Sequence, residues 1–170
     1  SPIPATDAVK LLPRLVDLAR EAGAAIMAVY TGMPAAAARI KDDGSPLTQA
    51  DLAAHRLIAR GLAELTPDIP VVSEEDLASH AHRRPSGRFW LVDPLDGTKE
   101  FLARNGEFTV NIALIRDQRP VLGVVYVPPT QELFLGIVGR GAAKRKGAAR
   151  EVITARKPPP EGLTVLASRS

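Results

Sequence analysis

The chain has 170 residues, of which 45% are hydrophobic and 24% charged, with a formal net charge of +3 at pH 7. This length is enough for one domain with a sizeable core, and no apolar run reaches the roughly 18 residues of a membrane-spanning helix. The absence of cysteine excludes disulfides, thiolate metal sites and cysteine nucleophiles.

The charges are distributed unevenly along the chain. Residues 1–100 have 11 Lys and Arg against 14 Asp and Glu, a balance of −3, whereas residues 101–170 have 11 against 5, a balance of +6. A cation-binding half joined to an anion-binding half fits a phosphorylated substrate, but it fits two differently charged surfaces equally well. The basic segment from Gly139 to Arg150 is predicted as a solvated hairpin tip rather than an anion contact. Its lack of aromatic residues argues against nucleic-acid binding.

Two amphipathic helices are predicted in the first third of the chain. Apolar residues recur at steps of three and four over residues 7–30, with Pro13 either in the first turn or at an early kink. A turn-rich segment at residues 41–46 precedes the second helix, for which Thr48 is the predicted N-cap. Asp51 follows three residues later, where a capping box places an acid.

A series of short strands is predicted beyond the helices. Turns separate the later runs, so neighbouring strands from residue 108 onwards are expected to be antiparallel. Residues 77–88 are predicted as a polar, mobile loop. The predicted strands cover residues 69–73, 89–92, 108–115, 120–127 and 133–138, with a short edge piece at 151–154.

The last residues predict a boundary between domains. Residues 157–161, Lys-Pro-Pro-Pro-Glu, have the composition of a stiff linker, and a new strand pattern begins at residue 162. We expect an N-terminal α+β domain over residues 1–157, and residues 158–170 as the linker and first strand of a second domain. The first domain is predicted as a layered sandwich, in which two N-terminal helices pack on a largely antiparallel sheet.

Carboxylates occur where several predicted elements begin or end. Asp51 lies at a helix start, Glu74 directly follows a strand, and Asp93 and Asp96 follow the next strand. Each has an ordinary alternative explanation: a capping acid, a solvated acidic turn, and the common turn dipeptides Asp-Pro and Asp-Gly. Their combination at strand ends, where layered α/β folds open a ligand crevice, favours a functional site.

The turn at residues 93–98 predicts the chemistry of that site. Two carboxylates three residues apart offer the hard oxygen ligands that suit Mg²⁺. Gly97 and Thr98 then offer backbone N–H groups to a phosphate at the start of a following helix. The sequence therefore predicts metal-assisted phosphate chemistry.

Together with their order and spacing, these motifs closely resemble those of the inositol monophosphatase superfamily, which are Mg²⁺-dependent, lithium-sensitive phosphomonoesterases. The resemblance covers most of residues 10–170 and implies the N-terminal domain of the sugar-phosphatase αβαβα fold. Within the superfamily, the sequence is most similar to the CysQ branch of 3′(2′),5′-bisphosphate nucleotidases of sulfur metabolism. The matching segments are residues 41–51 (K-D-D-G-S-P-L-T-Q-A-D), 73–75 (S-E-E) and 90–98 (W-L-V-D-P-L-D-G-T) for the superfamily, and 99–101, 106–112 and 167–170 for the branch.

The resemblance implies a site with two or three Mg²⁺ ions. Glu74, Asp93 and the backbone carbonyl of Leu95 would bind the first ion. Asp93 would bridge to a second ion shared with Asp96.

It also implies how substrate and water are held. Asp51 and Thr98 would orient and activate the attacking water, with Glu74 as a further catalytic residue. The backbone amides of Gly97 and Thr98 would hold the phosphate. The implied substrate-binding set is Glu74, Leu95, Asp96, Gly97 and Thr98.

The implied reaction is hydrolysis of 3′-phosphoadenosine 5′-phosphate to AMP and phosphate, with 3′-phosphoadenosine 5′-phosphosulfate as a second substrate. Inositol-1-monophosphatase or fructose-1,6-bisphosphatase activity and a non-catalytic metal- or nucleotide-binding fragment are the alternatives. Family members complete the site from a second domain, so we expect this chain alone to be weakly active or inactive. The expected location is cytoplasmic, with peripheral association at the inner face of the cell membrane as the alternative. The oligomeric state is left open, with a homodimer as one alternative.

Two other families are less consistent with the motif. Haloacid-dehalogenase phosphatases require an aspartate two residues before the Asp-Gly-Thr turn, and Pro94 occupies that position here. The Asp-x-Asp-x-Asp-Gly order of an EF-hand is absent.

Overall fold

The computed structural model describes residues 5–32, 46–83, 86–162 and 165, and it contains two long helices followed by a sheet. Across the described residues, no helix combines the length and apolar character needed to cross a membrane. The helices are α1 (Ala5–Gly32), α2 (Pro46–Leu65), α3 (Thr98–Ala103) and a 3₁₀ helix (Leu77–His82). The strands are β1 (Val71–Ser73), β2 (Arg88–Asp96), β3 (Thr109–Arg116), β4 (Arg119–Val127), β5 (Glu132–Ile137), β6 (Gly141–Lys146) and β7 (Ala149–Ile153).

The seven strands form one sheet in sequence order, from β1 at one edge to β7 at the other. Only β1 and β2 are parallel; every later neighbour is antiparallel and is joined by a short turn or by the α3 segment. The predicted α+β sandwich with a largely antiparallel sheet is therefore confirmed. The parallel pair places the ends of β1 and β2 at the same edge, where the predicted carboxylates lie.

The main core lies between the two long helices and one face of the sheet. Alternate residues of the strands point to this face, and Trp90, Val92 and Ile112 are at most 2% exposed. The helices approach each other closely at Gly61, because a Cβ atom there would lie 2.2 Å from Cδ2 of Leu18. This packing fixes α2, which contains Asp51, against β2.

The opposite face of the sheet has a smaller apolar cluster. Val72, Phe89 and Ile115 are buried there, with Leu91 and Ala113 packed against them. These residues come from β1, β2 and β3 only. The rest of this face contributes to a cavity that is described below.

Two local predictions about helices were wrong, and one of the two alternatives for Pro13 is excluded. Thr48 lies inside α2 rather than at its N-cap, because the helix begins at Pro46, and proline favours the first helical position. Pro13 lies in the interior of α1 rather than in its first turn. Residues 77–82 of the predicted loop form a 3₁₀ helix, whose start is stabilised by the Asp76 side chain accepting from Ser79 N–H at 3.3 Å.

The basic segment at residues 139–150 is a largely exposed hairpin, as predicted, but it includes strands and not only the tip. It contains β6 and the start of β7, which form a hairpin with a turn at Gly147. The segment has few apolar residues because most of its side chains point to solvent, so periodicity gave no strand signal. The predicted edge strand at 151–154 is confirmed with a shift, since β7 covers Ala149–Ile153. Most of the turn-rich segment at residues 41–46 and most of the strand predicted from residue 162 fall outside the described residues.

Candidate active site

A bulge in β2 determines how the two central carboxylates are presented. Asp93 pairs with Asn111 of β3, but Asp96 pairs with Thr109, so three steps along β2 match two along β3. Residues three apart in a regular strand point to opposite faces, whereas one extra residue brings them to the same face. The strand was predicted to end at residue 92, and the bulge extends it to Asp96.

Asp93 is a carboxylate in an unfavourable environment. Its pKa is raised to about 7, first by burial and then by the negative charges of Glu74 and Asp96; a backbone hydrogen bond from Leu95 opposes the shift. Its Oδ1 atom is buried and has no hydrogen-bond partner among the described residues. A cation at this position would remove both penalties.

Glu74 reaches the same place from the neighbouring strand. It directly follows β1, and its N–H donates to the carbonyl oxygen of Val92 at 3.1 Å, so the parallel pairing continues past the end of β1. Its side chain shares a hydrogen bond with that of Asp93. The predicted neighbourhood of Glu74, Asp93 and Asp96 is therefore present.

Asn111 is a site residue for which the sequence analysis gave no role. Its Nδ2 donates to Oδ2 of Asp96 at 3.1 Å, and its Oδ1 accepts from the Thr109 hydroxyl at 3.0 Å. This chain of bonds fixes the amide orientation and with it the Asp96 carboxylate. Because Asn111 is a strand neighbour of Asp93, only the pairing of β2 with β3 reveals it.

The turn after β2 is held in a conformation that favours glycine. Gly97 has φ of 95°, and a Cβ atom there would lie 2.8 Å from the carbonyl oxygen of Glu107. Behind the turn, α3 begins at Thr98 and is anchored by Phe101, which packs against Tyr30 and Phe108 with ring centroids 5.2 and 5.3 Å away. The backbone of Gly97 and Thr98 is therefore positioned by packing as well as by its sequence.

Asp51 and Thr98 are held on helices adjacent to this site. Asp51 is 1% exposed on α2, and although its Oδ2 atom receives no hydrogen bond from the described residues, the side chain does interact elsewhere. α2 packs against both β2 and α3, the helix that begins at Thr98. The predicted pairing of Asp51 with Thr98 stays a prediction, as does the role of the Leu95 carbonyl.

A cavity of about 460 Å³ opens beside the carboxylates, on the sheet face turned away from α1 and α2. Its polar part is formed by Glu74, His80, Arg83, Asp93 and Asn111. Leu91 and Val125 belong to its apolar part. Asp51, Asp96 and Thr98 are not among the described residues that line it.

The donor set fits Mg²⁺. Across the described ranges, no three histidine or acidic side chains are already gathered around one point as a metal site. Mg²⁺ does not require such a group, because it keeps several waters and is commonly held by one or two carboxylates together with substrate phosphate. The adjacent carboxylates of Glu74 and Asp93, with the orphaned Oδ1 atom of Asp93, meet this requirement.

Comparison with known proteins gives a consistent result. Residues 7–168 match the inositol monophosphatase family. Over 160 residues, the chain is 49% identical to the 3′(2′),5′-bisphosphate nucleotidase CysQ of Salmonella typhimurium, and this alignment covers 94% of the chain and 64% of that protein. The Escherichia coli K12 protein of the same name is 48% identical with the same coverage. The chain thus spans somewhat less than two thirds of the length of these relatives.

Solved structures show the same fold. The crystal structure of CysQ from Bacteroides thetaiotaomicron superposes with a TM-score of 0.72 at 45% identity, covering 85% of this chain and 51% of that one. Inositol monophosphatase II of Staphylococcus aureus superposes with a TM-score of 0.65 at 28% identity, covering 79% and 48%. These two structures have different names, a CysQ protein and an inositol monophosphatase. Structural similarity alone therefore does not identify the substrate.

Proposed function

This chain belongs to the inositol monophosphatase family, and from that premise we propose that its protein is a Mg²⁺-dependent 3′(2′),5′-bisphosphate nucleotidase. The proposed reaction converts 3′-phosphoadenosine 5′-phosphate and water to AMP and phosphate, with 3′-phosphoadenosine 5′-phosphosulfate as a second substrate. The identity to relatives named for this activity supports the substrate class.

The observation that carries the chemistry is the environment of Asp93. Its carboxylate lies beside two other carboxylates, and burial together with their negative charges raises its pKa to about 7, while its Oδ1 atom has no hydrogen-bond partner among the described residues. A protein that buries such a charge without a partner loses stability unless an external cation is bound. Glu74, Asp93, Asp96 and the carbonyl oxygen of Leu95 are the proposed ligands, for two or three ions.

When bound, Mg²⁺ neutralises charge on the phosphate oxygens and lowers the pKa of water, as phosphoryl transfer requires. The chain's own residues have two further tasks in this proposal. The Gly97 and Thr98 amides donate to the phosphate and hold it for in-line attack. The Thr98 hydroxyl, oriented by the Asp51 carboxylate, accepts a hydrogen bond from the attacking water and takes part in moving its proton.

Phosphate release from 3′-phosphoadenosine 5′-phosphate, inositol 1-phosphate and fructose 1,6-bisphosphate tests this proposal. For the full-length protein, we expect turnover of the nucleotide to exceed that of both sugar phosphates and to stop when EDTA removes the metal. Preference for inositol 1-phosphate would overturn the substrate class. Calorimetric titration with Mg²⁺ and nucleotide, run beside the assay, separates binding without turnover from catalysis.

The remaining expectations concern the whole protein. The relatives are longer than this chain, and we propose that residues 1–157 are the catalytic metal-binding domain and that a second domain completes the site. Weak or absent turnover by this chain alone would agree with that division. A cytoplasmic location and a homodimeric state stay predictions.

A further inference from the structure

A buried serine lies where β1 meets the acidic site. Ser73 is the last residue of β1, is 1% exposed and directly precedes Glu74. Each of its polar groups has a hydrogen bond with a side chain. Its N–H donates to Ser79 Oγ at 3.0 Å, its carbonyl oxygen is 2.9 Å from His80 Nε2, and its Oγ is 2.8 Å from His55 Nδ1. We call His55, Ser73, Ser79 and His80 the Ser73 network.

The chemistry of these groups restricts their protonation. A carbonyl oxygen only accepts, so His80 must carry a proton on Nε2. Between His55 and Ser73, either atom donates, depending on the histidine tautomer. Because Ser73 is almost fully buried, loss of any of these partners leaves a polar group without water to replace it.

The network joins three separate elements at one residue. His55 comes from α2, Ser73 from β1, and Ser79 and His80 from the 3₁₀ helix. On α2, His55 lies four residues after Asp51, so the two side chains share a helix face. The network therefore determines where β1 ends relative to the helix that contains Asp51.

Glu74 depends on this arrangement because its own side chain is exposed. Its backbone is fixed on one side by the hydrogen bond to Val92 and on the other by Ser73. Among the described residues, its carboxylate is held only by the hydrogen bond with the Asp93 side chain. A shift in Ser73 would therefore move the Glu74 carboxylate away from Asp93.

We propose that His55 and His80 are positioning residues of the metal site, which act through Ser73 to hold Glu74 where its carboxylate and that of Asp93 bind the same divalent cation. This inference rests on the proposed function, since it assumes that these carboxylates bind metal. The ordinary alternative is that both histidines only stabilise the fold. Metal affinity distinguishes the two roles, because a purely structural residue lowers the thermal midpoint without changing the affinity of the folded site.

The test uses Mg²⁺ alone, titrated by calorimetry into the whole protein of which these 170 residues are a part, with thermal midpoints measured separately. We expect His55→Ala and His80→Ala each to weaken Mg²⁺ binding by about 10-fold, the lower end of the range for residues that orient metal ligands. Ser73→Ala removes only the bond to His55 and keeps both backbone bonds. It should weaken Mg²⁺ binding as His55→Ala does, with less disturbance of packing.

Conservative variants and a matched control sharpen the result. His55→Asn places an amide near the position of Nδ1, and His80→Gln places one near Nε2, so both should restore affinity to within about 3-fold of the unmodified chain. His82→Ala serves as the control, because His82 is an exposed residue of the same 3₁₀ helix. It should leave Mg²⁺ binding unchanged.

Two results would overturn the inference, and they differ in what they say about the proposed function. If the alanine variants are less stable but bind Mg²⁺ as tightly as the unmodified chain, the histidines are structural and the metal site stands. If the unmodified whole protein binds no Mg²⁺, the metal site itself is refuted, and the positioning role with it.

Discussion

Two carboxylates in this chain have opposite environments. Glu132, on β5, contacts Lys144 of the neighbouring strand at 2.7 Å and accepts from the Thr130 hydroxyl at 2.9 Å, and these hydrogen bonds lower its pKa. Asp93, on β2, has two carboxylates as neighbours, and burial together with their charge raises its pKa to about 7. The first has its cation inside the protein, whereas for the second we propose a cation bound from solution.

The backbone around the two residues differs in the same way. β5 pairs with β4 and β6 in an uninterrupted register, and the hairpin of β6 and β7 continues it. β2 has a bulge at Asp93 and ends in a glycine at positive φ. Regular pairing satisfies charges locally, while the irregular end of β2 gathers like charges, which is typical of functional sites.

Replacing Asp93 should have the largest effect. Asp93→Asn keeps the shape of the side chain but removes the charge that we propose binds Mg²⁺, so calorimetry on the whole protein should show binding weakened by at least about 100-fold, and its phosphate release should fall to the same extent. Glu132→Gln is the matched control and should bind Mg²⁺ normally. Retention of Mg²⁺ affinity by Asp93→Asn would show that the two environments do not differ in function.

Changing the turn glycine should have the next largest effect. Gly97→Ala places a Cβ atom 2.8 Å from the Glu107 carbonyl oxygen at a φ of 95°. Unfolding experiments should show a loss of about 2–3 kcal/mol, together with lower phosphate release. Gly147→Ala, in the β6–β7 turn, has a φ of 57° and nothing within 4 Å, so it should cost about 1 kcal/mol and leave Mg²⁺ binding unchanged. Equal effects of the two variants would contradict this comparison.

Removing the partner of Asp96 should have an intermediate effect. Asn111→Ala deletes the donor to Asp96 Oδ2, and we expect Mg²⁺ affinity to fall by about 10-fold. Thr109→Val removes only the hydroxyl that orients the Asn111 amide, so its effect should be about 2- to 3-fold. A larger effect for Thr109→Val than for Asn111→Ala would show that the amide is not the connecting group.

The pH dependence of stability should differ in sign between the two carboxylates. Because the pKa of Asp93 is raised from 3.8 to about 7, the metal-free chain binds a proton that the unfolded chain releases, and this contribution to stability falls as pH rises from about 4 to 7. Since Asp93 is only partly buried, we expect on the order of 1–2 kcal/mol, and thermal melts at pH 8 should show Asp93→Asn about 3–6 °C above the unmodified chain. At pH 4 the difference should disappear.

Glu132 should show the reverse dependence and the smallest effect. Its lowered pKa means that its contribution is present above the unfolded pKa and is lost as the pH falls below it. Because the ion pair with Lys144 is solvated, Glu132→Gln should change the thermal midpoint little at pH 7, and less at high salt. A large, salt-independent effect would show that this pair is more than a surface contact.

Much of the fold and part of the site followed from local patterns. The two helices, the antiparallel strands and the positions of Glu74, Asp93 and Asp96 at strand ends were predicted because apolar periodicity and turn residues act over a few neighbouring positions. Strand β6 was missed because its side chains are mostly polar or small. The early start of α2 was missed because a proline and a threonine offered competing start signals.

The sequence by itself determined which residue types are available for chemistry: oxygen ligands without cysteine, and an acidic turn followed by glycine and threonine. Only the tertiary structure decided how they meet. The parallel pairing of β1 with β2 brings Glu74 to Asp93, the bulge turns Asp96 to the same face, and the pairing with β3 adds Asn111. These relations depend on strand register and burial, which are set by contacts between residues far apart in the chain, so no local pattern contains them.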